Sequence, residues 1–121
     1  MSYTVVRYNK AGGKHIYMGN FASRDAAKLQ IMTIFATDIK HDIILSRKVV
    51  SDPNISRYIH MRMPPLKDVD FDDIKNLRAY HNHLFTIANS SEFSAYLYKL
   101  CDSYIEDDGK VIIGDIVYML A

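Results

Sequence analysis

Apolar and polar residues alternate from Tyr3 to Asn9, with Tyr3, Val5 and Arg7 on one side and Thr4, Val6 and Tyr8 on the other. That two-residue period, rich in β-branched and aromatic side chains, is the pattern of a β-strand. Gly12 and Gly13 supply positive φ where the chain must reverse, and His15 to Phe21 resumes the extended pattern, so a hairpin is predicted. The period then changes. Ser23 stands where a helix N-cap accepts a backbone N–H, Asp25 sits in the first turn, and Ala27, Ile31, Ile34 and Phe35 recur at helical spacing. Leu29, Met32 and Ala36 widen the stripe while Gln30, Thr33 and Thr37 face water, which predicts a helix laid across one face of the hairpin.

Beyond that unit the pattern is more broken. Asp38 to Asp42 reads as a fraying helix end or polar connector, Ile43 to Val50 is apolar at both ends, and Asp52-Pro53-Asn54 is a turn signal. A second hairpin is expected here, its return strand Ile55 to Met63 placing Ile59, Met61 and Met63 inward and Tyr58, His60 and Arg62 outward. A fully helical reading of residues 24 to 50 stays open, because short apolar runs do not separate strand from buried helix. Pro64 and Pro65 close this stretch, since neither donates to a sheet. Asp70 then caps a helix whose face collects Ile74, Leu77, Tyr80, His81, Leu84, Ile87 and Ala88. After Asn89-Ser90-Ser91 the residues Phe93, Tyr96, Leu97, Leu100 and Tyr104 form another stripe, so an αα-hairpin is predicted. Asp108-Gly109 turns into a short β-branched strand, and Asp115 is placed to cap a last turn through Met119. The fold class is therefore α+β: an N-terminal β-hairpin plus helix, a second strand pair, a C-terminal helical hairpin and a short closing strand. One domain over residues 1–121 is expected, with halves 1–63 and 66–121 meeting at Pro64-Pro65.

Composition adds little until charge is followed along the chain. Half of the residues are apolar and about a quarter charged, an ordinary globular balance. Residues 1 to 64 hold ten Lys/Arg against four Asp/Glu, whereas residues 65 to 121 hold five against ten. A basic half attracts nucleic acid or an acidic partner, and the acidic half is an internal alternative that would neutralise it. The single Cys101 forms no internal disulfide, and no leader or apolar run of about 20 residues is seen. A soluble, cytoplasmic protein away from membranes is expected.

Candidate chemistry is sparse. His81 and His83 stand two apart, so on a helix they diverge by roughly 200° and share no metal. Asp108 to Asp115 resembles the second half of an EF-hand or dockerin calcium loop, but Tyr104 occupies its first ligand position and Ile112 a polar one. Cys101 lies at the margin of its stripe as a half-buried, unreactive thiol. With no GxSxG elbow, P-loop or GxGxxG, no catalytic residue, metal or cofactor is assigned.

One family resemblance bears on partners. Lys14-His-Ile-Tyr-Met-Gly-Asn-Phe21 followed by Ser23-Arg-Asp-Ala-Ala27 resembles the strand-turn-helix unit of plant ethylene-response-factor DNA-binding domains and of the arm-binding domains of phage integrases. By position the resemblance implies that Arg7, Lys14, His15 and Tyr17 face DNA in the major groove. The reading favoured from the residues themselves is a small non-enzymatic interaction or accessory protein that presents a surface to a protein partner, with Tyr58, His60 and Arg62 as further contact candidates. Nucleic-acid binding through the basic hairpin is the alternative, and a virion or assembly subunit built from copies of the chain is a third.

Overall fold

The computed structural model describes residues 3–10, 12–46, 52–63, 70–113 and 116–120. Along them run β1 (Tyr3–Asn9), β2 (Lys14–Phe21), α1 (Arg24–Ser46), α2 (Pro53–Arg62), α3 (Ile74–Ala88), α4 (Ser91–Asp108), β3 (Lys110–Ile113) and β4 (Ile116–Leu120). Four helices and one antiparallel sheet make this an α+β fold. Among the described residues no helix is long and apolar enough to cross a membrane. The chain divides into two compact units, Met1–Thr37 with Ala95–Ala121 and Asp38–Ser94.

The first unit is built on a sheet of order β2-β1-β4-β3. β1 and β2 form the expected hairpin, with Tyr8 opposite His15 and Val6 opposite Tyr17. Its turn is closed by the Gly13 amide donating to the Asn9 carbonyl at 2.9 Å, with Gly13 at φ 64°, a conformation that favours glycine. β1 and β4 are interior strands. Val5 and Val6 of β1, and Val117 and Tyr118 of β4, are adjacent residues buried on opposite faces. Ser23 caps α1 as predicted, its Oγ accepting the Ala26 amide at 3.1 Å. Tyr118 meets Phe35 of α1 edge-on at 6.2 Å. In this unit α4 runs antiparallel to α1, because Arg24 pairs with Glu106, Lys28 with Asp102 and Thr33 with Tyr98. Gly109, at φ 73°, ends α4 by donating to the Ile105 carbonyl at 2.7 Å and turns the chain into β3.

The second unit is helical. Asp52 caps α2 by accepting the amides of Asn54 and Ile55 at 2.9 and 3.0 Å, and Pro53 opens the first turn. Ile55, Tyr58 and Ile59 form its buried face. Tyr58 packs on Phe93 with ring centroids 5.5 Å apart, and Lys40 hydrogen-bonds Ser94. α3 is capped by Asp73, which accepts the Lys75 amide at 2.9 Å. The two-residue link to α4 is held by Ser90, whose Oγ accepts the Phe93 amide at 3.2 Å.

Three expectations are corrected. The second strand pair is absent: Ile43 to Ser46 continue α1, and Ile55 to Arg62 lie in α2, while residues 47–50 lie outside the described residues. Adjacent Tyr58 and Ile59 are both buried, which helical spacing permits and the two-residue alternation of a half-exposed strand does not. The closing element is a pair of strands, since Ile116–Leu120 forms β4 where a last helical turn was expected, Asp115 itself being outside the described residues. The α3 cap is Asp73; Asp70 instead accepts the Asp72 amide at 3.0 Å. Pro64-Pro65, the expected boundary, also lies outside the described residues.

Candidate functional site

The hairpin residues expected to face DNA do not gather on one face. Arg7 stands opposite Ile16 on one side and Tyr118 on the other, and its guanidinium lies 5.8 Å from the centroid of the Tyr118 ring. Tyr118 is the residue that meets Phe35, so Arg7 belongs to the row of the sheet turned toward α1. Lys14, opposite Asn9, shares that row, whereas His15 and Tyr17 stand opposite Tyr8 and Val6 in the other row. The side chains of Lys14, His15 and Tyr17 lie outside the described residues.

Tyr58, His60 and Arg62 occupy α2, not an outward strand face. Tyr58 is buried against Phe93. The Arg62 guanidinium stacks 3.4 Å from the Tyr58 ring centroid and donates to the Tyr58 carbonyl at 3.2 Å, so both are engaged within one helix turn. His60 is exposed and its Nδ1 lies 3.1 Å from Ser56 Oγ.

Reactive groups are likewise held apart or occupied. Cys101 is fully buried, deeper than the margin of its stripe suggested. Burial, with Asp102 beside it, pushes its thiol up to about 12, the opposite of what a nucleophile needs. Among the described residues no three His, Cys, Asp or Glu side chains stand close enough to hold a metal. Tyr104 to Asp108 lie in α4 and Lys110 to Ile113 in β3, so the calcium-loop resemblance meets a helix end and a strand. Lys28 forms an ion pair with Asp102 at 2.7 Å and donates to Glu106 at 3.1 Å, and Arg24 donates to Glu106 at 2.8 Å. These partners raise the pKa of both cations, and the same hydrogen bonds hold the Glu106 carboxyl below its ordinary value. Two cations of the basic half are thereby neutralised by carboxylates of the acidic half.

Among the described residues the exposed large apolar side chains include Leu29, Leu45, Met61, Ile16 and Ile112, and three more, Phe71, Ile74 and Leu77, stand together at the start of α3. Ile74, Leu77, His81, Leu84 and Ala88 are spaced three and four apart on one face. Over the second half of the helix this stripe is covered, with Leu84 and Ala88 buried and Ile43 and Ile44 of α1 closing over His81, Leu84 and Phe85. That cleft has no room for a water molecule. Over the first turns the stripe emerges: Ile74 is 62 % exposed, Leu77 38 % and the preceding Phe71 40 %. Phe71 packs edge-on against Tyr80 at 5.4 Å, which fixes an aromatic wall beside the bare turns. Sequence patterning identifies the stripe but carries no signal of where its cover stops.

Compared with family models, with curated proteins and with solved structures, the chain matches none.

Proposed function

We propose that the chain is a non-enzymatic interaction protein that docks a protein partner through the first two turns of α3. The observation that carries this reading is the stripe that outruns its cover. A helix whose apolar face is buried at one end and bare at the other leaves Ile74 and part of Leu77 in water; burying such a side chain fully is worth roughly 1.5–3 kcal/mol, and docking a partner recovers a share of that. The fixed Phe71–Tyr80 pair adds rigid aromatic area of the kind that anchors interfaces. Arg and Tyr contact candidates on α2 and β1 contribute less in this reading, because Tyr58, Arg62 and Arg7 already have partners within the chain.

Affinity capture from the native cell lysate tests the proposal, with the wild type set beside Ile74→Glu/Leu77→Glu and each run with and without nuclease. Both positions are more than a third exposed, so the double variant is expected to keep its circular dichroism spectrum. A protein partner retained after nuclease and lost from the double variant is the expected result. Retention that disappears with nuclease, or that the double variant keeps, overturns the proposal.

A further inference from the structure

We infer that the outer edge of β2 pairs with the same edge of a second copy of this chain, the two strands running antiparallel across a two-fold axis at Ile16. β2 is an end strand of the sheet, with β1 on one side and, among the described residues, no strand on the other. The direction of its backbone groups follows from the turn. The Asn9 carbonyl accepts the Gly13 amide, so Asn9 directs its N–H and C=O toward β2 and forms the hydrogen-bonded kind of pair with Lys14. Antiparallel pairs alternate, which makes Arg7–Ile16 a bonded pair and leaves Tyr8–His15 and Val6–Tyr17 unbonded. His15 and Tyr17 therefore present their N–H and C=O groups outward.

The chemistry of such an edge names its occupant, because alternating donors and acceptors are matched by another extended backbone. Its limits name the register. Regular pairing begins at Lys14, after the turn, and ends at Tyr17, because Met18 and Gly19 together oppose Val5 in a bulge with Gly19 at φ 112°. The two outward residues are thus symmetric about Ile16. A reversed copy sets His15 of each chain against Tyr17 of the other, and each pair exchanges both of its hydrogen bonds, the self-matching surface that a two-fold dimer requires. Moving the axis to His15 or to Tyr17 brings Gly13 of the turn or Gly19 of the bulge opposite an outward residue and keeps a single such pair. At the axis the two Ile16 side chains, each 42 % exposed in one copy, meet at the close spacing of an unbonded pair. Lys14 falls opposite Met18 of the other copy, so no cation faces a cation.

The far edge of the sheet is different. Carried across β1 and β4, the same alternation turns the backbone groups of Lys110 and Ile112 outward from β3, a four-residue strand whose Lys110 side chain is exposed. A short strand guarded by lysine discourages pairing, which leaves β2 as the edge that accepts it. Contact limited to so short a stretch buries less than about 1,200 Å² in total, so the dimer is weak and concentration-dependent.

Sedimentation velocity of the full chain from low micromolar to millimolar concentration tests this, together with residue-resolved amide hydrogen exchange at both ends of that range. The His15 and Tyr17 amides are expected to exchange more slowly as dimer forms, whereas the Ile16 amide, bonded to β1, is protected throughout. Ile16→Lys sets two cations at the axis and should weaken dimerisation about tenfold. Tyr17→Pro removes an outward donor and leaves the β1–β2 ladder its bonds, since proline is tolerated on an edge; it should weaken the dimer similarly with an unchanged circular dichroism spectrum. Should Tyr17→Pro fail to fold, Ile16→Lys decides alone, because its side chain is exposed. A wild type that stays monomeric up to millimolar concentration overturns self-association. A dimer that Ile16→Lys leaves intact, or that slows neither the His15 nor the Tyr17 amide, overturns the edge pairing. Ile74→Glu/Leu77→Glu is expected to dimerise as the wild type does, so docking through α3 and pairing through β2 fail separately.

Discussion

Glu106 receives two cations, Arg24 at 2.8 Å and Lys28 at 3.1 Å, and its pKa is lowered by hydrogen bonds and charge from both. A carboxylate with a lower pKa folded than unfolded stabilises the fold above its unfolded value, and that contribution is lost as pH falls through the folded value. Glu106→Gln removes the charge without changing the shape. Its denaturation midpoint is therefore expected to lie below the wild-type midpoint near neutral pH, and the two midpoints should converge well below the ordinary carboxylate value of 4.5. Urea titrations at the two pH values check this, and a gap that persists in acid would mean that the residue acts through packing. All four side chains are partly open to solvent, so the same gap should shrink in high salt.

Two helices carry buried residues at strict four-residue intervals: Ala27, Ile31, Phe35, Ile39 and Ile43 in α1, and Phe93, Leu97, Cys101 and Ile105 in α4. Such rows are the ridges that helices pack with, so deleting a member is costly. Phe35→Ala is expected to cost about 3–5 kcal/mol, since its fully buried ring is also the edge-on partner of Tyr118. Leu29→Ala, 57 % exposed on the same helix, should stay within about 0.5 kcal/mol. Thermal unfolding of both separates ridge from surface. The first hairpin, the Ser23 cap and the front of each row, Ala27, Ile31 and Phe35 in α1 and Phe93 and Leu97 in α4, were legible because period and punctuation agree there, whereas the polar run Asp38 to Asp42 hid the continuation through Ile39 and Ile43. α2 was not, because Asp-Pro-Asn serves equally as a turn and as an N-cap followed by proline at the first helical position. Asp52 takes the second role. β4 escaped for a different reason: an interior strand buried on both faces presents Ile116 to Leu120 as a continuous apolar run, without the alternation that marks a strand. The bare end of α3 was hidden because periodicity tells which face is apolar and not how far a neighbouring element extends over it.

At the scale of the whole chain, the contrast between a basic front and an acidic back dissolves on folding. The unit Met1–Thr37 with Ala95–Ala121 contains seven Lys/Arg and six Asp/Glu, and the unit Asp38–Ser94 contains eight of each. Segments of opposite charge are brought into the same unit, and Arg24 and Lys28 show the outcome directly in their pairs with Asp102 and Glu106. Opposite charges within a Debye length of about 8 Å cancel at a distance, so Arg24 and Lys28 add little to a field that gathers phosphates, and each unit carries a net charge near zero. Nucleic-acid affinity depends on that field, because each neutralised phosphate releases counterions and steepens the salt dependence. The chain is accordingly expected to show no retention on duplex DNA or RNA in fluorescence anisotropy at physiological ionic strength, and at most a weak signal at low salt that Arg7→Ala leaves unchanged. Tight binding whose logarithm falls steeply with salt, and which Arg7→Ala reduces, would return the hairpin to the role its resemblance to DNA-binding strand-turn-helix units implies. It would also require Arg7 to leave the Tyr118 ring and give up that cation–π contact.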